Sequence, residues 1–457
     1  MVMKMTYKEA IAYKDSAIQY GSIPGLDSIR MLAARIGDPQ DSLRFIHIAG
    51  TNGKGSVSAY LTSVLRASGY KTGSYNSPPV CTYREFARVN GRNISEANYA
   101  KYMKIVAEAA EGMAAEGLPH PTVFEIETAL ALLFFAGSEC DVVVLEAGMG
   151  GAGDATNLVE TTDLAVLTSV SMDHADYLGH TLREIAKQKA GIIKPGCRVV
   201  MMDTGEDKSL ADDPVLGTLV EKCRETDAIY VVAKPTEAYD IKHTFPKQVF
   251  SYKDYKKMKI SLQGTYQIDN AVLAIEAVES LRKLGYRISN EQLRSGMEAA
   301  VWPGRFDIVS RRPLFIVDGA HNEDAARRLA ESIELYFTNR RIIYIMGVLK
   351  DKEYEKICEL TAGYASDIIT VTTPHNPRAL PSLILAETVR RFHNRVTAAD
   401  SIEEAVELAL LLAEMPDNRQ EPVVIAFGSL SYLGEIYHMM KDRNQIRSDS
   451  HGRQRED

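Results

Sequence analysis

Cysteine is scarce and shows no paired pattern: Cys81, Cys140, Cys197, Cys223 and Cys358 are an odd set of five without metal-ligand spacing. That excludes a disulfide framework and a cysteine-built metal site, and it suits a reducing compartment. No uninterrupted apolar stretch is long enough to cross a bilayer. The N-terminus, with Lys4, Lys8 and Lys14 among polar residues, lacks the apolar core of a secretion signal. Basic residues are not in excess either; the formal net charge is −8. A broad basic surface for nucleic acid is thereby excluded. Short-period repeats and long low-complexity regions are also missing. The sequence predicts a cytoplasmic protein with neither a membrane nor a nucleic-acid partner.

What is present is the composition of a soluble globular enzyme, 45% apolar and 25% charged, in a chain of 457 residues. That length exceeds one compact core, so two domains are expected. Residues 1–40 read as two helices around the Gly-Ser-Ile-Pro-Gly turn at 21–25. Short apolar runs at Val142–Glu146, Leu164–Thr168, Val199–Met202 and Ile229–Val232 then alternate with helical patterns, the mark of a parallel sheet covered on both faces. Residues 235–265 are irregular and suggest a small hairpin. A second alternating set comprises Leu314–Asp318, Ile342–Met346, Ile368–Val371 and Val423–Phe427. Between the sets, Trp302-Pro303-Gly304-Arg305-Phe306 is a Pro-Gly break and the expected interdomain joint. The expectation is an α/β chain: an N-terminal domain (1–300) of P-loop ATPase type with a mostly parallel sheet, and a smaller Rossmann-like α/β domain (301–442). Polar residues 443–457 would form a disordered tail, and the active site would lie in the cleft.

The most informative stretch is Phe45-Ile46-His47-Ile48-Ala49-Gly50-Thr51-Asn52-Gly53-Lys54-Gly55-Ser56. A β-prone run stops at a glycine-rich turn, and Lys54 and Ser56 then open a helical pattern. Such a strand–turn–helix aims backbone N–H groups and a helix N-terminus at one point, a cradle for a polyphosphate. Lys54 would face the terminal phosphates and Ser56 a bound Mg²⁺. Gly53 and Gly55 would let the backbone approach closely. The strict phosphate-loop pattern is not met, because Ile48 stands where a Gly is required and Gly55 follows the Lys. A glycine-rich turn without a ligand is the alternative, but a Lys at a helix start is itself an anion site, so the stretch predicts ATP binding.

Other strand ends carry polar clusters, where open α/β sheets bind ligands. Glu146, followed by Ala147-Gly148-Met149-Gly150-Gly151, is placed to hold Mg²⁺ or else is a solvated strand-end carboxylate. Asp173-His174 follows the next strand, a weak signal by itself. Lys187, Lys189 and Lys194 read, on spacing alone, as a solvated face. Asp318-Gly319-Ala320-His321-Asn322 follows a strand of the second set. Asp318 either accepts from a ribose hydroxyl or caps the next helix, and His321 could touch base or phosphate. Arg305 is either a charge clamp across the cleft or a surface arginine.

The ordered series resembles the folylpolyglutamate synthase and dihydrofolate synthase family of the Mur-ligase superfamily over nearly the whole chain. It comprises Gly50–Ser56, Ser77-Pro78, Glu146–Gly151, Asp154-Ala155-Thr156-Asn157, Asp173-His174 with Tyr177-Leu178-Gly179, and Lys189–Gly196. Gln267, Asn270, Trp302–Arg305 and Asp318–Asn322 complete it, and Pro24-Gly25-Leu26 fits the same family. The resemblance implies that Gly50, Thr51, Asn52, Gly53, Lys54, Gly55 and Ser56 hold ATP phosphates. It puts Gln267, Asn270, Arg305, Asp318 and His321 around the nucleotide, and Ser77, Glu146 and His174 on Mg²⁺. Lys189 takes the position of a carbamylated lysine that helps to hold a second Mg²⁺. The implied reaction is ATP-dependent ligation of L-glutamate to a folate or dihydropteroate carboxylate through an acyl phosphate. Lys54, Lys189 and His321 are the implied catalytic residues, His321 as a helper, and the implied state is a monomer.

Two loops depart from the family pattern: Pro79 replaces a bulky or His residue, and Ala152-Gly153 replaces an Arg-Leu pair. They bear on pterin specificity more than on ATP use. A muramyl ligase would place a UDP-binding domain ahead of the phosphate loop, where this chain has fewer residues than the roughly 50 of a minimal domain. A nucleotide-binding regulator that has lost ligation draws support only from the altered loops. A plain P-loop ATPase or kinase leaves the second α/β set unexplained.

Overall fold

The computed structural model describes residues 5–21, 25–205, 212–415 and 420–453. Its strands are β1 (Phe45–Ala49), β2 (Thr72–Tyr75), β3 (Ala87–Val89), β4 (Arg92–Asn93), β5 (Val142–Glu146), β6 (Thr162–Leu167), β7 (Arg198–Met202) and β8 (Ile229–Ala233). They continue as β9 (Tyr239–His243), β10 (Gln248–Tyr252), β11 (Tyr255–Ile260), β12 (Asp307–Arg311), β13 (Leu314–Val317), β14 (Arg340–Met346), β15 (Asp367–Thr370), β16 (Val396–Ala398) and β17 (Gln420–Phe427).

The first eight form one sheet in the order β4-β3-β2-β5-β1-β6-β7-β8. All pairings from β2 to β8 are parallel, and β3 and β4 add an antiparallel edge. Every residue of β1 and β5 is buried, as helices on both faces of a parallel sheet require. On one face lie the Lys54–Ala67 and Gln267–Lys283 helices with Val57, Leu61, Val272 and Ile275. On the other lies the Val123–Gly137 helix with Ile126, Leu130 and Phe134. Register fixes the site: Ile48 sits beside Glu146 and Ala49 beside Leu167, so three strands end together.

The six strands of the later set run β12-β13-β17-β14-β15-β16, parallel except for edge strand β12. The fold is therefore the expected one, a large mostly parallel sheet followed by a separate α/β unit. Among the described residues no helix is long and apolar enough to cross a membrane.

Two expectations change. Residues 235–265 form not a hairpin but a three-stranded antiparallel sheet, β11-β10-β9. Met258 and Ile260 enter the core while Lys256 and Lys257 stay exposed, which splits a polar-looking run between two environments. The polar segment expected to be a disordered tail is helical through Arg453. Its Arg and Gln residues are good helix formers that extend a helix already begun, with no proline to stop it. Residues 454–457 lie outside the described residues, as do Ser22, Ile23 and Pro24 of the first expected turn.

Candidate active site

The cradle is built by β1 and the helix after it. Gly53 takes φ +91°, which an L-residue resists, and the Lys54–Ala67 helix starts directly behind it with no side-chain cap. Its first N–H groups are therefore left for an anion. Lys54 Nζ folds back on the loop and donates to the carbonyls of Gly50 and Thr51 at 3.0 and 3.1 Å. Thr51 and Asn52 are stitched to the strand end of β6: Thr51 Oγ1 donates to the Ser171 carbonyl at 3.0 Å, and Ser169 Oγ donates to the Asn52 carbonyl at 3.2 Å. Ser56 Oγ accepts from Gln267 Nε2 at 3.0 Å, and Asn270 Nδ2 donates to Gln267 Oε1 at 3.3 Å. The Gln267–Lys283 helix thus braces the loop from behind.

Glu146, 5% exposed, accepts from Asn76 Nδ2 at 2.8 Å, and the same amide group donates to Ser58 Oγ. Burial raises the Glu146 carboxyl, opposed by nearby Lys54. Burial in turn lowers the Lys54 amine, opposed by Glu146 and Asp173. Ser77 follows Asn76 directly and is half-buried. Lys189 lies at the end of the Leu182–Ala190 helix, whose start carries a Thr181–Glu184 capping box. Its Nζ donates to the Gly50 carbonyl at 2.7 Å, and burial, with Lys54 nearby, pushes it down to about 7. The solvated-face reading therefore fails for Lys189 (3% exposed) and Lys194 (9%), while Lys187 is exposed. Lys194 donates instead to the Asn157 carbonyl at 3.1 Å. The glycine-rich loop after Glu146 packs against the Lys189 turn, with Ala152 N–H donating to the Gln188 carbonyl at 2.7 Å.

The second unit closes the far side. Asp318 accepts from the Phe306 N–H at 2.7 Å, the Ala320 N–H at 2.8 Å and Tyr266 OH at 3.1 Å. Burial raises its carboxyl against the pull of Arg305, whose guanidinium lies against Gly319. His321 Nδ1 lies 2.7 Å from the Gly319 carbonyl and donates to it, which leaves Nε2 as the acceptor; burial and Lys352 hold the ring down at about 4. At the seam, Asn52 Nδ2 donates to Asp324 Oδ2 at 2.7 Å, and Lys352 Nζ donates to Asp173 Oδ1 at 2.7 Å. Asn322 Nδ2 reaches Asp173 Oδ2 at 3.4 Å. Burial alone would raise the Asp173 carboxyl, but His174 and Lys352 outweigh it and hold it well below the carboxylate range. His174 itself stands at φ +51°, its ring 3.8 Å from Asp173 Oδ2; burial lowers it against the pull of Asp173.

Lys54, Ser56, Glu146, Lys189, Gln267 and Asn270 thus gather around the phosphate loop, and Arg305, Asp318 and His321 form the facing wall. Sequence reasoning missed Asn76, Tyr266, Asp324 and Lys352. Asn76 beside the Ser77-Pro78 pair, Tyr266 beside Gln267 and Asp324 just after Asn322 each carried a local signal, and Lys352 carried none. Among the described residues no group of three or more His, Cys, Asp or Glu is gathered as a metal site. Glu146 and Ser77 supply a carboxylate and a hydroxyl beside the loop, oxygen donors of the kind a hard divalent cation takes.

Comparison with known proteins follows the same outline. The Mur ligase middle domain matches residues 48–278, and the Mur ligase, glutamate ligase domain matches 304–430. The dihydrofolate synthase/folylpolyglutamate synthase of Bacillus subtilis is 37% identical over 362 residues, 78% of this chain and 82% of that protein. The folylpolyglutamate synthase of Lacticaseibacillus casei is 33% identical over 93% of this chain and 96% of its own length. Among solved structures, Mycobacterium tuberculosis folylpolyglutamate synthase complexed with ADP and AMPPCP superposes with a TM-score of 0.84 at 29% identity, covering 94% of this chain and 99% of that one. E. coli FolC in complex with DHPP and ADP gives 0.80 at 28% identity over 95% and 98%. On this sequence likeness across both halves, the chain belongs to the folylpolyglutamate synthase and dihydrofolate synthase family of Mur ligases.

Proposed function

We infer that the protein is an ATP-dependent ligase that joins L-glutamate to the carboxylate of a folate, on dihydropteroate, on reduced folates or on both. The observation that carries this reading is the phosphate loop with Lys54, set between Glu146 and Lys189 on one side and Arg305, Asp318 and His321 on the other.

The substrate carboxylate attacks the γ-phosphate of ATP, giving an acyl phosphate and ADP. The amine of L-glutamate then attacks the acyl carbon and phosphate leaves. Neither step needs a protein nucleophile; both need charge spread over the moving phosphoryl group and the reactants held in line. Lys54 and the helix N–H groups supply fixed positive charge. Asp318 offers a buried carboxylate for a ribose hydroxyl, and Arg305 lies beside it to face the nucleotide. His321 keeps a neutral ring near neutral pH, so Nε2 can accept a hydrogen bond rather than repel a cationic amine. Facing walls on two domains keep water from the acyl phosphate.

Ser77, Glu146 and His174 are proposed to hold Mg²⁺, which would neutralise phosphate charge. Lys189 is proposed to carry a carbamate beside a second ion. Its burial among Lys54, Asp154 and Asp173, and its place in the family's motif, support this. A cytoplasmic monomer is proposed as well; the five free cysteines support a reducing compartment, and sedimentation velocity tests the monomer.

Product analysis by mass spectrometry tests the reading, with ATP, Mg²⁺, L-glutamate and a mixture of dihydropteroate and tetrahydrofolate. Glutamyl products are expected, and the pterin that gains glutamate assigns synthase, extender or both. ADP binding without product on any folate would overturn the ligase reading in favour of a nucleotide-binding regulator.

A further inference from the structure

The chain has one tryptophan, Trp302, and it stands at the joint between the two units. It is half-buried against the apolar cluster that carries Val57, Tyr60 and Leu61 of the phosphate-loop helix. Its indole lies so close to Gly55 that a Cβ built there would be 2.6 Å from Cε2, Cζ2 and Nε1. The Arg88 guanidinium stands over the ring, 5.8 Å from its centroid. Arg88 pairs with Glu85 at 3.4 Å and donates to Asn93 Oδ1 at 2.9 Å. The same Glu85 oxygen that faces Arg88 accepts the N–H groups of Val80 and Cys81, each at 3.1 Å, which fixes the turn beyond Ser77. Arg88 and Glu85 are only 17% and 10% exposed, so water screens these contacts little. An unbroken run of contacts therefore leads from Gly55 through Trp302, Arg88 and Glu85 to the Val80–Cys81 turn.

We propose that Trp302 is a positioning residue for ligation: with Arg88 and Glu85 it holds the turn beyond Ser77 in register with Gly55 and Ser56 of the phosphate loop. An indole that merely plugged the core would need no charged partner over its ring. It would also need no contact tight enough to demand glycine at the helix start. Phosphates drawn to the N–H groups around Gly55 shift the surface against which the indole rests. Trp302 therefore reports nucleotide loading, and loosening Arg88 weakens nucleotide binding from outside the loop.

The full chain allows a direct test, because excitation at the tryptophan band addresses Trp302 alone. Titration with Mg·ADP is expected to give a saturable change in emission. Arg88→Gln is expected to raise the ADP Kd by a few-fold to about tenfold, the ratio a partly desolvated cation–π contact carries. Arg88→Lys, which keeps a cation over the ring, is expected to recover most of it. In turnover, Trp302→Ala is expected to raise KM for ATP and lower kcat, with Trp302→Phe close to the parent. A structural plug would lower the melting temperature of these variants and leave the Kd of Arg88→Gln unchanged, which would overturn the proposal. Constant emission at ADP concentrations shown by dialysis to saturate the protein would overturn it too. The kinetic arm rests on the ligase reading, but the ADP titration does not. A chain that couples Trp302 to ADP yet forms no glutamyl product refutes only the functional reading.

Discussion

Replacing Gly53 with alanine tests the phosphate loop at the position where backbone and side-chain demands meet. Gly53 has φ +91°, and an L-residue in the left-handed region costs about 1–2 kcal/mol. The new methyl group would also fall inside contact distance of Asn270 Oδ1. Asn270 must then turn away and give up its 3.3 Å bond to Gln267, at about 1 kcal/mol. The sum is about 2–3 kcal/mol, or a fall of roughly 4–10 °C in melting temperature for the unit that contains it. Gln267 also holds Ser56, so nucleotide affinity falls with stability, and a tenfold weaker Kd removes about 1.4 kcal/mol of ligand stabilisation. The assay is thermal unfolding with and without saturating Mg·ADP. Repeating it with Asn270→Ala, where the steric conflict is gone, should leave Gly53→Ala costing only the backbone part, about 1–2 kcal/mol. The reasoning is refuted if Gly53→Ala melts with the parent, or if the Asn270→Ala background does not relieve it.

Lys54→Ala and Glu146→Ala should each nearly abolish ligation while the circular dichroism spectrum stays native; product formed at the parental rate by either would remove the phosphate and metal assignments. Lys189→Ala should be severely impaired, with partial recovery in added acetate or formate; a fully active variant would end the carbamate proposal. His47 is wholly buried, and burial with Lys194 nearby depresses its ring to about 3 from an ordinary 6.5. The unfolded chain therefore binds the extra proton first, and stability present above pH 6.5 is lost as pH falls towards 3. Urea unfolding should show about 2 kcal/mol less stability at pH 5 than at pH 7.5 from this group. A difference of the same size in His47→Gln would show that other groups carry it.

Glu146 and Asp318 were legible in the sequence because each stands at a strand end before a glycine-containing turn, and Lys54 because it closes such a turn at the start of a helix, so chemistry and backbone signal coincide. The spacing of Lys187, Lys189 and Lys194 could not show which lysine is buried. That is decided by the loop after Glu146, which packs on the last turn of a helix distant in sequence. Lys352 was invisible because its partner Asp173 lies 179 residues away and nothing near either residue announces the pair. The β9–β11 sheet was misread because its Lys-rich strand alternates between core and solvent, a pattern that a short irregular window hides.

The contacts across the seam constrain how such a chain can be recombined. Both halves are recognisable as modules, yet Asn52 is tied to Asp324, and Asp173 is tied to Lys352 and Asn322 from the other half. A graft joined near Trp302 that kept Asp173 but brought no cation at position 352 would leave an acid with its main distant partner gone, beside the place where phosphates must enter. Exchange between relatives should therefore succeed only when these pairs travel as matched sets. The heritable unit is then the seam, with residues drawn from both modules, rather than either domain alone.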